Sequence, residues 1–330
     1  MPQFFVPRCR VVGLAMLAVI ASCSTAFAQS GYPNKTIRII TPFSAGAGPD
    51  SVLRVVADKM TRTLGQTVII DNKPGGNGFI AIEAGKRSAN DGYTFVQMDD
   101  AQMSLLPHLY KKIPYDVNKD FDPVGTFFRT YFFVVTGTNS PLKSVNEIIA
   151  AAKAKPGELT YGSWGVGSPA HIGGAMMESV ASLQMSHVPF KETPSLFQAV
   201  ATGDVAWAFG TAGSAGPLYR GGKLKFLAVA APKRVAGYLD VPTITEAGGP
   251  ANFEVKAWVA LQAPKGTPKE AMTKVADALA KALAEPDVKE KFTTFGFEPF
   301  VSQPAEMTKQ IEADYKRYGE IAKRAKMALD

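Results

Sequence analysis

The sequence is poor in the residues that carry covalent and metal chemistry: its 330 residues hold two cysteines and three histidines. Both cysteines, Cys9 and Cys23, lie near the N-terminus, where Arg8 and Arg10 precede an apolar run over residues 11–21 and the small-x-small triplet Ala26-Phe27-Ala28. That arrangement reads as a secretory signal over residues 1–28. The run is well short of the ~20 apolar residues that cross a bilayer, which argues against a membrane anchor. Ile20-Ala21-Ser22-Cys23 also has the shape of a lipoprotein cleavage box, so lipidation of Cys23 stays open as a second processing route. Cleavage after Ala28 removes both thiols, and with them disulfides, cysteine nucleophiles and thiolate metal sites. His108, His171 and His187 show no metal-ligand spacing. Neither metal nor cofactor is expected.

Other absences narrow the class further. Beyond the signal there is no second long apolar stretch, no low-complexity tract and no short repeat. The formal charge is +7, from 36 basic and 29 acidic residues; losing two arginines with the signal leaves 34 against 29, or +5. Positive charge favours small anions through long-range steering. It is spread along the chain without a basic run or a nucleic-acid module, so no nucleic acid partner is expected. About 300 mature residues exceed what one core usually fills, which predicts two lobes.

Apolar β-branched runs alternate with helical patterns. Strands are expected over residues 36–40, 68–71 and 94–98, with helices over 51–64 and 78–87 between them, a βαβαβ unit. The first helix places Val52, Leu53, Val56, Met60 and Leu64 on one face, with Asp50 as its N-cap and Gly65 as its stop. A second unit of the same kind has strands at 132–136, 159–161, 185–188, 205–209 and 224–230 and helices at 145–154, 169–180 and 194–201. The stretch 255–263 then leads to three helices with Pro268, Pro286 and Pro304 near their starts, expected to return and cover the first lobe. The fold class is α/β, two lobes, each a mainly parallel sheet flanked by helices. The expected boundaries are 29–128 plus 258–330 for lobe one and 129–257 for lobe two, with hinges near 125–131 and 255–261.

Two glycine-rich loops occupy matching places. "TPFSAGAGPD" (41–50) and "GSWGVGSPAH" (162–171) each follow a strand and open a helix. In open α/β sheets a ligand binds off the carboxyl ends of the strands, where helix N-termini present free N–H groups and a positive dipole end. Two such ends facing one another make an anion trap. Rival readings of the second loop fail on its letters. A P-loop needs lysine where Ser168 stands; a nucleophile elbow needs glycines two residues either side of a serine, and neither Ser163 nor Ser168 has them. Gly165-Val166-Gly167-Ser168-Pro169-Ala170 does fit G-x-G-x-x-A, with Glu192 some way on, but a lone match in an exported chain is weak.

The chain resembles the Bug receptors, the periplasmic substrate-binding proteins of tripartite tricarboxylate transporters. The resemblance rests on "PFSAGAGPD", "LGQTVIIDNKPGGNG", "DGYTF", "KPGELTYGSWGVGSPAH", "HVPFK", "GKLKFLAV", "DVPTITEAG" and "APKGTP" in that order. It implies a Venus-flytrap receptor, expected as a monomer, that closes on a small carboxylate and delivers it to a membrane permease. Carried over by position, it implies ligand-binding roles for Phe43, Ser44, Ala45, Gly46 and Asp50 in the first loop. In the second it implies Ser163, Trp164, Gly165, Gly167, Ser168 and His171. An exported enzyme acting on a small carboxylate is the alternative, but no triad, metal set or acid pair stands out.

Several residues remain open between cleft and core. His171 is expected to orient its loop by a hydrogen bond more than to touch ligand. Asp204 is a turn residue or a cleft residue. Gly210 stands where the family tends to carry aspartate, which predicts a roomier, less anionic wall. With Phe43, Trp164, Phe190, Trp207 and Phe209 as wall candidates, the expectation is an aromatic or longer-chain carboxylate and no subsite for an ammonium group.

Overall fold

The computed structural model describes residue 2, residues 31–324 and residues 327–329. The signal reading of residues 1–28, Cys9 and Cys23 included, lies outside the described residues. In chain order the first elements are β1 (Ile37–Thr41), α1 (Gly48–Leu64), β2 (Val68–Asn72), α2 (Phe79–Lys86) and β3 (Thr94–Asp99). A wide helical turn, Ala101–Leu105, runs into the short helices α3 (Leu106–Leu109) and α4 (Val117–Asp120), followed by β4 (Phe121–Tyr131). The middle of the chain supplies β5 (Phe133–Gly137), α5 (Val145–Ala154), β6 (Thr160–Ser163), α6 (Pro169–Ala181) and β7 (Ser186–Pro189). It continues with α7 (Thr193–Thr202), β8 (Trp207–Gly210), α8 (Ala212–Arg220) and β9 (Leu224–Val229). The last elements are β10 (Lys256–Pro264), α9 (Lys269–Ala284), α10 (Pro286–Thr294), β11 (Phe297–Pro299) and α11 (Pro304–Arg324).

Two sheets result, ordered β11-β4-β10-β3-β1-β2 and β7-β6-β8-β5-β9. The expected α/β class holds, with both sheets mixed. Strands β2, β1 and β3 run parallel, while β10 pairs antiparallel with both β3 and β4. In the second sheet β7, β6 and β8 are parallel, and β5 and β9 add antiparallel. The parallel strands carry the loops of interest at their carboxyl ends.

The passage between the sheets is narrower than expected. Residues 121–131 read locally as a connection because Asp122, Pro123 and Gly125 are turn formers. They nevertheless form β4, paired along its length with β10, with Lys256 opposite Tyr131. Long-range pairing overrides local preference here. The crossing contracts to Phe132, whose N–H donates to the Val255 carbonyl at 3.1 Å, while the Val255 N–H donates to Ala230 O at 3.0 Å.

Helix α1 seats Val52, Leu53, Val56 and Met60 in the core of the first sheet at 0% exposure, each contributing about 1.5–3 kcal/mol by burial. Val275, Ala278 and Leu279 of α9 and Val288 and Phe292 of α10 join the same cluster, as expected for helices that return to the first half. Helix α11 does more. Its Tyr318 and Ala322 share an apolar cluster with Ile172 and Ala175 of α6, so the last helix touches both halves. Helix α8 was not expected, since Pro217 sits within it; its start is nonetheless written in the reciprocal capping of Thr211 and Ser214.

Candidate ligand cleft

The first loop is fixed from below by one acid. Ala47, with φ −62° and ψ 157°, is the N-cap of α1 and supplies no side-chain cap, so the expectation that Asp50 caps this helix is corrected: the helix starts at Gly48 and Asp50 lies in its first turn. Asp50 is fully buried and accepts from the Gly46 amide at 2.7 Å, from Asn72 Nδ2 at 2.7 Å and from both Nε and Nη2 of Arg54 at 3.0 Å. Burial opposes its ionisation, but these hydrogen bonds outweigh it and hold the carboxyl below the usual carboxylate range. Its role in the structure is to shape the loop.

The second loop is fixed by a serine and two histidines. Ser163 is fully buried, 2.7 Å from His187 Nε2, and its hydroxyl accepts from the Gly165 amide at 3.1 Å. Ser168 caps α6 through the His171 amide. His171 answers with Nδ1, which accepts from the Gly167 N–H at 3.1 Å. That is the orienting bond the sequence suggested. It requires an unprotonated Nδ1, and burial, reinforced by His187 stacked at 4.0 Å, pushes the His171 pKa down to about 4. Gly167, at φ +78°, strains any side chain there, and a Cβ 2.4 Å from Leu109 Cδ1 would also force that leucine to shift.

The two loops face one another across a cavity of about 470 Å³. Pro42, Phe43, Ser44 and Ala47 form one wall; Trp164, Val166, Gly167, Ser168 and Pro169 form the other. Of the residues singled out from sequence, Phe43, Ser44, Trp164, Gly167 and Ser168 therefore meet at the cavity. Ala45, Gly46 and Gly165 sit in the same loops off its wall, and Asp50, Ser163 and His171 lie behind them. Asp204 is not brought to it: the residue is exposed, bonded to Thr202 Oγ1 at 2.7 Å, and precedes β8, at the opposite end of that parallel strand.

Sequence reasoning missed a third side. Pro74, Gly75, Asn77 and Gly78 line the cavity, as do Asp99, Ala101 and Gln102 at the end of β3. The signal was available, because "NKPGGNG" after β2 repeats the pattern of strand, glycines and helix. Gln102 ties these parts together: its Oε1 accepts from the Asp99 amide at 3.0 Å, its own amide donates to Asp99 Oδ1 at 2.8 Å, and Nε2 reaches Asn77 O at 3.4 Å.

The expected aromatic wall shrinks. Trp207 and Phe209 are fully buried in the core of the second sheet, and Phe190 packs against the cluster on its other face. Phe43 and Trp164 are the rings left at the cavity. Gly210 is no roomy wall either: a Cβ there would lie 2.6 Å from Phe197 Cζ and 3.2 Å from Ala215 Cβ, so the missing side chain is explained by core crowding.

Several loop amides are already spent, those of Phe43, Gly46, Ala47, Gly165, Gly167 and Ser168 among them. Among the described residues, the N–H groups of Ser44, Ala45, Trp164 and Val166 have no protein acceptor. Among the described residues no lysine, arginine or histidine lines the cavity. Among the described residues no group of three His, Cys, Asp or Glu could hold a metal, and no helix is long and apolar enough to cross a membrane. What the arrangement offers a ligand is unpaired backbone N–H in the loops that lead into two helix N-termini, which suits an anion.

Comparisons agree with that chemistry. The solved structure of a periplasmic transporter is 33% identical, with a TM-score of 0.78, covering 91% of this chain and 100% of the other. Rpa4515 of R. palustris, solved with adipate, is 29% identical with a TM-score of 0.80 over 90% of this chain and 99% of its own. MatC of Rhodopseudomonas palustris, with bound malate, is 28% identical with a TM-score of 0.74 over 88% and 99%. The pattern of the TctC family, tripartite tricarboxylate transporter family receptor, matches residues 52–327. The chain belongs to the TctC family, whose members are binding receptors of tripartite tricarboxylate transporters and not enzymes.

Proposed function

We propose that the cavity between the loops at 42–47 and 164–169 receives a small organic dicarboxylate, and that closure on it is what a membrane permease of the tripartite transporter reads. The observation that carries this reading is the pairing of two helix N-termini, α1 and α6, across one cavity that no described cation lines. Carboxylate oxygens there would take the amides of the lining residues Ser44, Trp164 and Val166. Each charge-assisted bond contributes about 1.5–3 kcal/mol before ordering costs. A few of them reach the roughly −8 kcal/mol of micromolar binding. Gly46, Asp50, Ser163, Gly165, Gly167, Ser168 and His171 serve the site by holding the two loops.

The lobes that would close turn about Phe132 and Val255, so the expected cuts after 128 and before 258, which would split β4 and β10, move to residues 31–131 plus 256–324 for the first lobe and 133–254 for the second. Trp164 stacks on Phe132 at 6.0 Å, which links the cavity wall to the crossing. Periplasmic residence after export through residues 1–28 fits this role, with lipidation at Cys23 as the alternative to plain cleavage. The adipate and malate bound by the R. palustris relatives support an aliphatic diacid. Two remaining rings give an aromatic acid less wall than the sequence promised. A thermal-shift and calorimetric panel of adipate, malate, succinate, benzoate and terephthalate tests this: diacids raise Tm and bind near micromolar Kd. Tight binding of the ring compounds alone would overturn the aliphatic assignment, and no response to any acid would overturn the receptor reading of this cavity.

A further inference from the structure

Among the described residues the cavity is lined by one charged side chain, and it has the wrong sign for an anion site. Asp99 ends β3 among the lining residues, and every other described lining side chain is neutral. Its carboxyl is locked from one side only, by the amide of Gln102 at 2.8 Å on Oδ1 and by the amide of Ala101. Among the described residues no cation compensates it; burial pushes its pKa up to about 6, opposed only by those two amides. A half-buried carboxylate without a counter-ion is costly, and a second carboxylate placed against it is costlier still. A bare diacid lying across this cavity would bring its far end toward that charge.

We propose that Asp99 determines ligand specificity: it selects carboxylates that bear a hydrogen-bond donor, an ammonium or a hydroxyl group, which Asp99 accepts while the loop amides hold the carboxylate. This rests on the receptor reading of the cavity and reverses the expectation that it has no place for an ammonium group. The donor supplies what Asp99 lacks, and an ammonium gains most because it also neutralises the charge. Gln102 makes the arrangement rigid. Its side chain fills the space beside Gly78, where a Cβ would stand 2.2 Å from Nε2, and its Oε1 fixes the Asp99 backbone amide while its own N–H holds the Asp99 carboxyl.

Calorimetry at pH 7.5 with two matched series tests the proposal: succinate, malate and aspartate, then glutarate, 2-hydroxyglutarate and glutamate. Within each series the donor-bearing acids bind at least tenfold tighter than the bare diacid. Asp99→Asn, which keeps an oxygen for the Gln102 amide, removes the ammonium ligand's advantage by at least tenfold and leaves the bare diacid unchanged or tighter. Asp99→Thr repeats the measurement should the asparagine variant not fold, with Tm checked in both. Hydroxy acids ahead of amino acids in the native protein would still support Asp99 as an acceptor, provided the substitution erases that lead. Bare diacids binding as tightly as their donor-bearing partners, or a preference that both substitutions leave intact, would overturn it while leaving the receptor reading standing. A native protein that binds none of the six acids but does bind adipate overturns this proposal alone; one that binds neither these six nor any acid of the panel above overturns both.

Discussion

Ala47 offers a perturbation in which stability and binding move in opposite directions. It is the N-cap of α1, its own side chain caps nothing, and it lines the cavity. Pro49 has no N–H, so the amide within reach of a capping side chain is that of Asp50. Ala47→Ser should stabilise the protein by about 1 kcal/mol, the usual worth of a polar N-cap over alanine. For a chain of about 300 folded residues that is roughly 1.5–2 °C in Tm. Ala47→Asp places a carboxylate where the ligand's own would lie. Two unit charges about 5 Å apart at an effective dielectric of ~20 repel by about 3 kcal/mol, a loss of more than a hundredfold in affinity. Melting curves give the first quantity and calorimetry with the tightest diacid the second. If Ala47→Asp folds normally and binds with unchanged Kd, the anion does not sit at the N-terminus of α1 and the two-helix argument fails.

Three further outcomes follow from the packing. His171 titrates lower in the folded chain than its ordinary 6.5, so as pH falls the unfolded chain takes up the proton first. Its contribution is complete above about pH 6.5 and drains away down to about pH 4, a loss on the order of 3 kcal/mol; denaturant titrations across that window in native protein and His171→Gln should differ in slope. Asp50→Ala removes the partner of Gly46, Arg54 and Asn72 at once and should cost about 3 kcal/mol by urea unfolding, with ligand affinity falling too because the first loop loses its anchor. Gly210→Asp would drive a charged side chain into the Phe197 ring, and a drop of at least about 3 kcal/mol is expected; a stable variant with altered ligand preference would instead restore Gly210 as a wall residue.

The parts of this molecule written in short-range pattern were legible in the sequence. Both glycine loops were placed correctly because strand, bare backbone and helix follow one another within a few residues. Residues 121–131 were not, since their strand exists only through β10 and β11, each more than a hundred residues away. The rings could not be assigned because Trp207 and Phe209 sit on a strand whose alternate faces are both covered: Ala208 packs in the cluster opposite theirs. Asp204 was avoidable. It precedes its strand, and the rule that ligands bind off carboxyl ends already excludes it. Asp99 was passed over for a different reason: next to Asp100 it reads as a solvated acidic pair, and only the fold shows one member at the cavity and the other buried against Tyr318 and Trp258.

The adjacency of Phe132 and Val255 makes residues 133–254 an insert between two strands that are already neighbours. Its consequence lies in the order of synthesis. Strand β10 sits in the middle of the first sheet, holding β4 to β3, yet it is made after every strand of the second sheet. The second sheet draws on one contiguous stretch and can assemble as soon as that stretch exists, whereas the first waits for residue 264 to close contacts of long sequence separation. Until then β3 is a bare edge at the rim of a three-stranded sheet. A chain cut short anywhere before residue 256 therefore carries an open strand-pairing template, and aggregation through that edge is the failure this topology invites.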